Sequence, residues 1–465
     1  VKKNIPQFKP FPDPVKQGVI KQVRTYQLIT PLFGGGVNPS EVDTVTPIRG
    51  SEIRGHLRFW WRACRGGKYG NNLRALKAEE DKIWGKAHKK GEKAPEYDEL
   101  VHILVENSAK NPELISPFKI VHAEKNGRPK YQSKPNEESG IPPYAAFPLQ
   151  PQQQDLDQNP PTEPKKVGDN VTFRLEIAFP ENRKKDIESS LWAWETFGGI
   201  GARTRRGFGA IRLMEVDGKA NKDLPSDNTV SGVNKWILEM LEGFIGVHED
   251  FHKQVPHLTC NPPLKILGPF DTPKKAWNEL IKKLARFRQP IDKSKRWPES
   301  KQVRAIVQGS KSDEPHPFPK AVLGLPIVFH LSDDHSPSLQ HGSKGQERLA
   351  SPIILRPLVL QNNLAFGVAL QLQGNNVRSD DLVLVPDDKN KPPYDATITS
   401  ILPDEEARAV SVLNGEKDVI QAFMDSLARR DDRNSRDNKR QRNNHRPYNK
   451  QKSQSRGGDK RWNRD

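Results

Sequence analysis

The chain has 465 residues, with 75 Lys+Arg against 58 Asp+Glu and a formal charge of +17. That length suggests two or three domains, each able to bury its own core. With no run of 18 apolar residues, two cysteines (Cys64 and Cys260), no CxxC and no HExxH, the sequence argues against a membrane span, a disulfide framework and a zinc finger.

In chain order, the opening segment VKKNIPQFKPFPDP lacks the apolar stretch of a secretory signal, so a cytoplasmic location is expected. Residues 19–29 (VIKQVRTYQLI) alternate and are rich in β-branched side chains, which predicts a strand. Ser51 to Arg65 has helical period, with Ile53, Leu57, Trp60 and Cys64 on one stripe. Arg54, Arg58, Arg62 and Arg65 form a second stripe beside it, with nothing acidic on that row and Trp61 on the border between the two. Four arginines without a lysine favour bidentate phosphate contact over a merely solvated face. Gly55 inside the helix suggests close approach of another backbone. His56 projects about 160° from Arg58 at 100° per residue, away from the arginine row.

From about 85 to 166 the chain reads as a polar insertion. Eleven prolines lie between Pro112 and Pro164, and QPQQQ follows at 150–154. Residues 118–123 (FKIVHA) and 171–179 (VTFRLEIAF) predict strands, 184–197 a helix and 208–216 a last strand. The order β-α-β-β-α-β is that of a ferredoxin-like unit. After the linker DGKANKDLPSDNTVSG, a second set is expected. It comprises a helix at 233–245, a strand LKILGPF, a helix at 273–288, strands LPIVFHL, PIILRPLVL and LAFGVALQLQ, and a helix near 404–428. The predicted fold is therefore α+β, with two tandem ferredoxin-like (RRM-like) units. The first spans 1–217, the second 218–428. A basic tail occupies 429–465, with 14 Lys+Arg against 5 Asp, almost no aliphatic residues and an expectation of disorder. Such a tail suits diffuse RNA contact.

The segment Gly198–Gly209 (GGIGARTRRGFG) holds five glycines in twelve residues, between a predicted helix and a predicted strand. Glycines permit φ > 0 and let a ligand approach the backbone. Arg203, Arg205 and Arg206 add three cations, and Phe208 offers a stacking face, so the loop reads as an anion cradle. It has no GK[ST] and follows a helix instead of opening one, which excludes a P-loop; its placement also excludes a dinucleotide fingerprint. Asp333, Asp334, His335 and His341 look like a metal cluster but read as a solvated turn, and RGGDK at 456–460 is not a cyclase GGDD motif. No metal or cofactor is expected.

The glycine-rich loop before the last strand of such a unit resembles the hallmark of the RAMP superfamily of CRISPR proteins. More narrowly, ITPLFGGG (29–36), IRGSEIRGHLRFWWRA (48–63), WETFGGIGARTRRGFGAI (194–211), LGLPIVFHL (323–331) and RLASPIILRPL (348–358) resemble the first-subunit family of the type III-B effector, the Cmr complex. The resemblance implies a non-catalytic, RNA-binding subunit of two ferredoxin-like units that holds the 3′ region of the guide RNA and aids capture of the target RNA. It implies guide and target RNA, backbone subunits and a small RAMP subunit as partners. Carried onto this chain, the RNA-contact candidates are Arg54, Arg58, Arg62, Gly199, Gly201, Arg203, Arg205, Arg206 and Gly207. Two alternatives remain: a metal-independent endoribonuclease using His56 with the loop arginines, and a protein-only scaffold.

Overall fold

The computed structural model of the chain describes residues 18–429, except 37, 39, 87–99, 109–110, 126–127, 246–250, 291–296, 311, 332–335, 343–347, 375–380 and 389. The expected basic tail beyond Arg429, the Asp333–His335 turn and the RGGDK motif therefore lie outside the described residues.

A first, antiparallel sheet is built from β1 (Val19–Leu28), β2 (His102–Asn107), β3 (Thr172–Pro180) and β4 (Ile211–Val216). Their order is β2-β3-β1-β4, extended at the far edge by Lys219–Ala220. The alternation in β3 sets the register, because Phe173, Leu175, Ile177 and Phe179 all point to the core and are buried. Across the β1–β3 pair, Tyr26 faces Phe173 and the rings stack at 5.1 Å. Helix α1 (Gly50–Arg65) follows β1 and packs against α3 (Lys184–Phe197), which follows β3. The stripe of Ile53, Leu57, Trp60 and Cys64 is buried as its spacing predicts.

Here the structure departs from the sequence reading in three places. The second strand of the sheet is β2, not residues 118–123. The latter belong to an eight-pair hairpin, Phe118–Lys125 with Arg128–Pro135, that stands apart from the sheet. Local pattern reports strand character but not which strand it pairs with, so the strand was readable and its destination was not. The insertion consequently includes one strand of the main sheet. Between α1 and β2 lies a helix the sequence reading did not name, α2 (Leu73–Trp84), capped by the Asn72 side chain accepting from Ala75 N–H at 3.0 Å. Gly55, expected to meet another backbone, is exposed, and a Cβ there would meet nothing within 4 Å.

Helix α4 (Val230–Ile245) contacts α1, α3 and the first strand of a second sheet. That sheet has the order β5-β7-β6, from β5 (Leu264–Phe270), β6 (Ile353–Val359) and β7 (Ala365–Gln371). Helix α5 (Pro273–Arg288) covers it, started by Thr272 as cap and Pro273 in the first turn. The expected strand LPIVFHL contributes only Ile327–Val328, which pairs with Ser338–His341 and through it with Leu382–Val385, in a separate small sheet. Its core includes the face of α6 (Glu299–Val307) carrying Val303 and Ile306. The single helix expected at 404–428 is two, α7 (Asp404–Ala409) and α8 (Val419–Ala428). Residues 410–418 (VSVLNGEKD) interrupt it with a left-handed Asn414 and Gly415. One hydrophobic cluster runs from the first sheet through α1, α3 and α4 to Ile354, Phe366 and Val368 of the second.

Candidate nucleic-acid interface

The arginine edge of α1 faces α2. Arg58 donates from Nε (2.8 Å) and Nη2 (2.5 Å) to Glu80 Oε1, and Arg62 Nη1 donates to Glu80 Oε2 at 2.5 Å. Glu80 is 4% exposed, so one buried carboxylate holds two guanidiniums. Arg54 Nη1 donates to the carbonyls of Trp84 (2.9 Å) and Val101 (3.0 Å). Burial, and then Arg58, hold the Arg54 pKa below its usual value. Arg65 is buried against Asp186 (3.0 Å) and the Phe244 carbonyl (2.7 Å). No acid sits on the row within α1, as expected, but the neutralising carboxylate arrives from α2. The edge is a clamp between two helices before it is anything else.

The glycine-rich loop is different. Its glycines are demanded by the protein itself. Gly207 has φ +83°, and a Cβ there would sit 2.5 Å from Trp277 Nε1 and 2.9 Å from the Leu355 carbonyl. At Gly201 (φ +79°) a Cβ would lie 2.7 Å from the Phe33 carbonyl, and at Gly199 2.7 Å from that of Gly209. The close approach inferred from the sequence is therefore made by backbone and side chains of the same chain. Phe208, expected as a stacking face, is fully buried and packs edge-on to Trp277 (4.8 Å) and Phe33 (5.2 Å).

What remains for a ligand is the arginines. Arg203 sits in the left-handed region at φ 60°, and its Nε is buried without a hydrogen-bond partner. Arg205 lies over the Phe59 ring at 5.6 Å and donates to the Ser351 carbonyl. Arg206 donates to the carbonyls of Ile353 and Leu323, both at 3.3 Å. Among the described residues, no carboxylate lies within 4.0 Å of any of the three. Burial pushes Arg205 down to about 10. Burial, then Arg288 and Arg203, pushes Arg206 down to about 9. Burial also lowers Arg203. Three guanidiniums whose charged form is disfavoured chiefly by burial, with no carboxylate beside them, form a cluster that an anion stabilises.

Two residues that fix this loop were not picked out from the sequence. Arg356, 0% exposed, fans from β6 to the carbonyls of Glu195 (2.6 Å), Gly198 (3.0 Å) and Ile211 (2.8 Å). It thereby caps the C-terminal end of α3, where the helix dipole favours a cation, and ties both ends of the loop to the second sheet. A lone arginine within the apolar run PIILRPLVL was the available signal. Glu52, in the first turn of α1, accepts from Gly201 N–H at 2.6 Å. His56 Nε2 is 3.7 Å from the same carboxylate, away from the arginine row as its spacing predicts. Among the described residues no group of three or more His, Cys, Asp or Glu could hold a metal ion, and no helix is long and apolar enough to cross a membrane.

Residues 25–212 match the family model described as the RAMP superfamily. A curated relative, CRISPR system Cmr subunit Cmr1-2 of Pyrococcus furiosus, is 38% identical over 64 residues, 14% of this chain and 32% of that protein. The matched stretch thus spans about a third of the relative's length. A crystal structure of Cmr1 from Pyrococcus furiosus in its apo form aligns with a TM-score of 0.47 and 16% identity, covering 84% of this chain and 96% of that one. A cryo-EM structure of the type III-B Cmr-beta bound to cognate target RNA aligns with a TM-score of 0.47 and 13% identity, covering 87% and 99%. The arginine–tryptophan helix and the glycine-rich loop, from which the RAMP resemblance was read, both lie within the residues 25–212 that match the RAMP model.

Proposed function

We propose that this chain is a non-catalytic RNA-binding subunit of a type III-B (Cmr) RNA-guided effector complex. In this reading it consists of two ferredoxin-like units, 1–217 and 218–428, followed by a basic RNA-contacting tail. It holds the 3′ region of the guide RNA and aids target capture, with the other Cmr subunits as neighbours. Sequence specificity resides in guide–target pairing while the protein meets backbone and shape. The match of residues 25–212 to the RAMP model and the β-α-β-β-α-β order with sheet order β2-β3-β1-β4 support it.

The observation that carries the reading is the carboxylate-free cluster of Arg203, Arg205 and Arg206. Arg54, Arg58 and Arg62 contribute at most the charge that Glu80 and the carbonyls leave over, so the loop arginines are the principal phosphate contacts. The test is single-stranded RNA binding by the full chain across a salt series. Arg203→Gln with Arg205→Gln should weaken binding of any sequence and flatten the log K against log[salt] slope by about 0.7 for each phosphate no longer neutralised. An unchanged slope in the folded variant would refute the assignment.

A second reading, metal-independent cleavage of guide RNA, is favoured by one contact. His56 neighbours Glu52, which binds the loop at Gly201, so one carboxylate joins a base to the loop. Labelled RNA incubated in EDTA should stay intact with the wild-type chain. Discrete products that vanish in His56→Ala would establish this second reading instead.

A further inference from the structure

The proline-rich insertion lays a turn against α5, and the two enclose a groove of about 650 Å³ whose lining includes Pro143, Tyr144, Asn278, Ile281 and Lys282. Lys275 and Glu279 also line it, and each is ion-paired, to Asp271 at 2.6 Å and to Lys283 at 3.9 Å. The turn is held in place. Asn278 Nδ2 donates to the Gly140 carbonyl at 2.7 Å, and Lys274 Nζ donates to the Ser139 carbonyl at 3.1 Å and to Asp169 at 2.7 Å. Ile141, Ala145 and Ala146 are buried in the same cluster as Phe208 and Trp277, so insertion, loop and α5 share one core. Trp277 donates to the Arg206 carbonyl at 2.6 Å, and Ile281, one turn on along the same face of α5, lines the groove. One face of α5 thus runs from the groove at Ile281 to the backbone of the arginine loop at Trp277. Tyr144 is half-buried, Phe147 three residues on is 55% exposed, and Lys282 is exposed with no ion-pair partner among the described residues.

A half-open aromatic beside an unpaired lysine is a composition that single-stranded nucleic acid uses, because every base has a face to stack and every linkage a charge to neutralise. The volume lies in the range of small-ligand sites and accommodates a nucleotide. We propose that this groove is a nucleotide subsite for single-stranded RNA, in which a base stacks on Tyr144 while the adjoining phosphates face Arg203, Arg206 and Lys282. The subsite rests on the RNA-binding reading above and extends it to residues of the insertion and of α5. The phenol's influence on both Arg203 and Arg206 agrees with that proximity.

The test uses the full chain and a short single-stranded RNA carrying 4-thiouridine. Photocrosslinks should map to residues 142–147. Tyr144→Ala should weaken binding about tenfold with the salt slope unchanged, since a stack and not a charge is removed. Tyr144→Phe should bind as wild type, and Lys282→Glu should flatten the slope. If Tyr144→Ala does not fold, the crosslink and Lys282→Glu decide. No crosslink at the turn, together with wild-type binding by Lys282→Glu, overturns the subsite. If Arg203→Gln with Arg205→Gln still weakens binding in that case, the RNA-binding reading stands and only the subsite fails. If that variant too binds as wild type, both fall.

Discussion

Replacing Glu80 by Gln tests whether the arginine edge of α1 is a clamp. The change keeps the shape of the side chain and removes the charge that three guanidinium hydrogen bonds share, two from Arg58 and one from Arg62. Hydrogen bonds to charged groups contribute about 1.5–3 kcal/mol each, so the gross loss is several kcal/mol. Two facts reduce it. Arg58 and Arg62 keep 26% and 32% of their side-chain surface, so water solvates them when the carboxylate is gone, and Asp81 stays 3.6 Å from Arg58. A net cost of about 2–3 kcal/mol follows, below the 3–5 kcal/mol of a fully buried pair. With an unfolding entropy near 2.1 cal/mol/K per residue over roughly 400 cooperative residues, the melting temperature should fall by about 2–4 °C. Hydrogen exchange locates the effect better. Amides of Leu73–Trp84 should lose protection while those of β1 and β3 keep theirs. RNA affinity should hold or rise, because two guanidiniums are released. Unchanged exchange in α2 together with an unchanged melting temperature would refute the clamp.

Other outcomes follow from the same structure. Gly207→Ala should destabilise the fold by more than about 2 kcal/mol, read by denaturant titration, because its Cβ would meet Trp277 Nε1 at 2.5 Å and its φ is positive. Arg356→Lys should cost about 3 kcal/mol or more in the same assay, since an ammonium cannot reach the Glu195, Gly198 and Ile211 carbonyls together. His257, stacked on Phe251 at 4.2 Å, has its pKa held below the usual 6.5, first by burial and in spite of the Val255 carbonyl. The unfolded chain therefore binds that proton more readily, and His257 contributes stability that is present above about pH 6.5 and lost as pH falls through the lower folded value. A histidine NMR titration finding its pKa at or above 6.5 would refute this.

Periodicity made the first unit's central elements legible. Alternation in VTFRLEIAF and the Ile53–Leu57–Trp60–Cys64 stripe both mark buried faces, and burial is what period reports. Partners were less legible. The row Arg54–Arg58–Arg62 could be placed on one edge, but Glu80 lies eighteen residues beyond Arg62, across an unforeseen helix. The loop glycines were recognised as positions of close approach, yet pattern alone could not tell a ligand's backbone from Phe33, Gly209 and Leu355. Strand pairing failed for the same reason. Residues 118–123 look as much like a sheet strand as 102–107 do, and only long-range register separates them. Arg356 was hidden because an arginine in an apolar strand is explained only by carbonyls some 145–161 residues away.

That sequence distance sets a clock on synthesis. At about 5–20 residues per second, the span between the loop's carbonyls and Arg356 takes a ribosome roughly 8–30 s to traverse. Throughout that interval the carbonyls of Glu195, Gly198 and Ile211 lack the guanidinium that later joins them, although the strands of the first sheet have already emerged. The segment with the greatest need of a defined shape is thus among the last to acquire one. A nascent chain halted before β6 carries the loop's three arginines without the guanidinium that anchors them. Anchoring of the loop is tied to synthesis of β6, and a chain truncated before it lacks the guanidinium that joins the Glu195, Gly198 and Ile211 carbonyls.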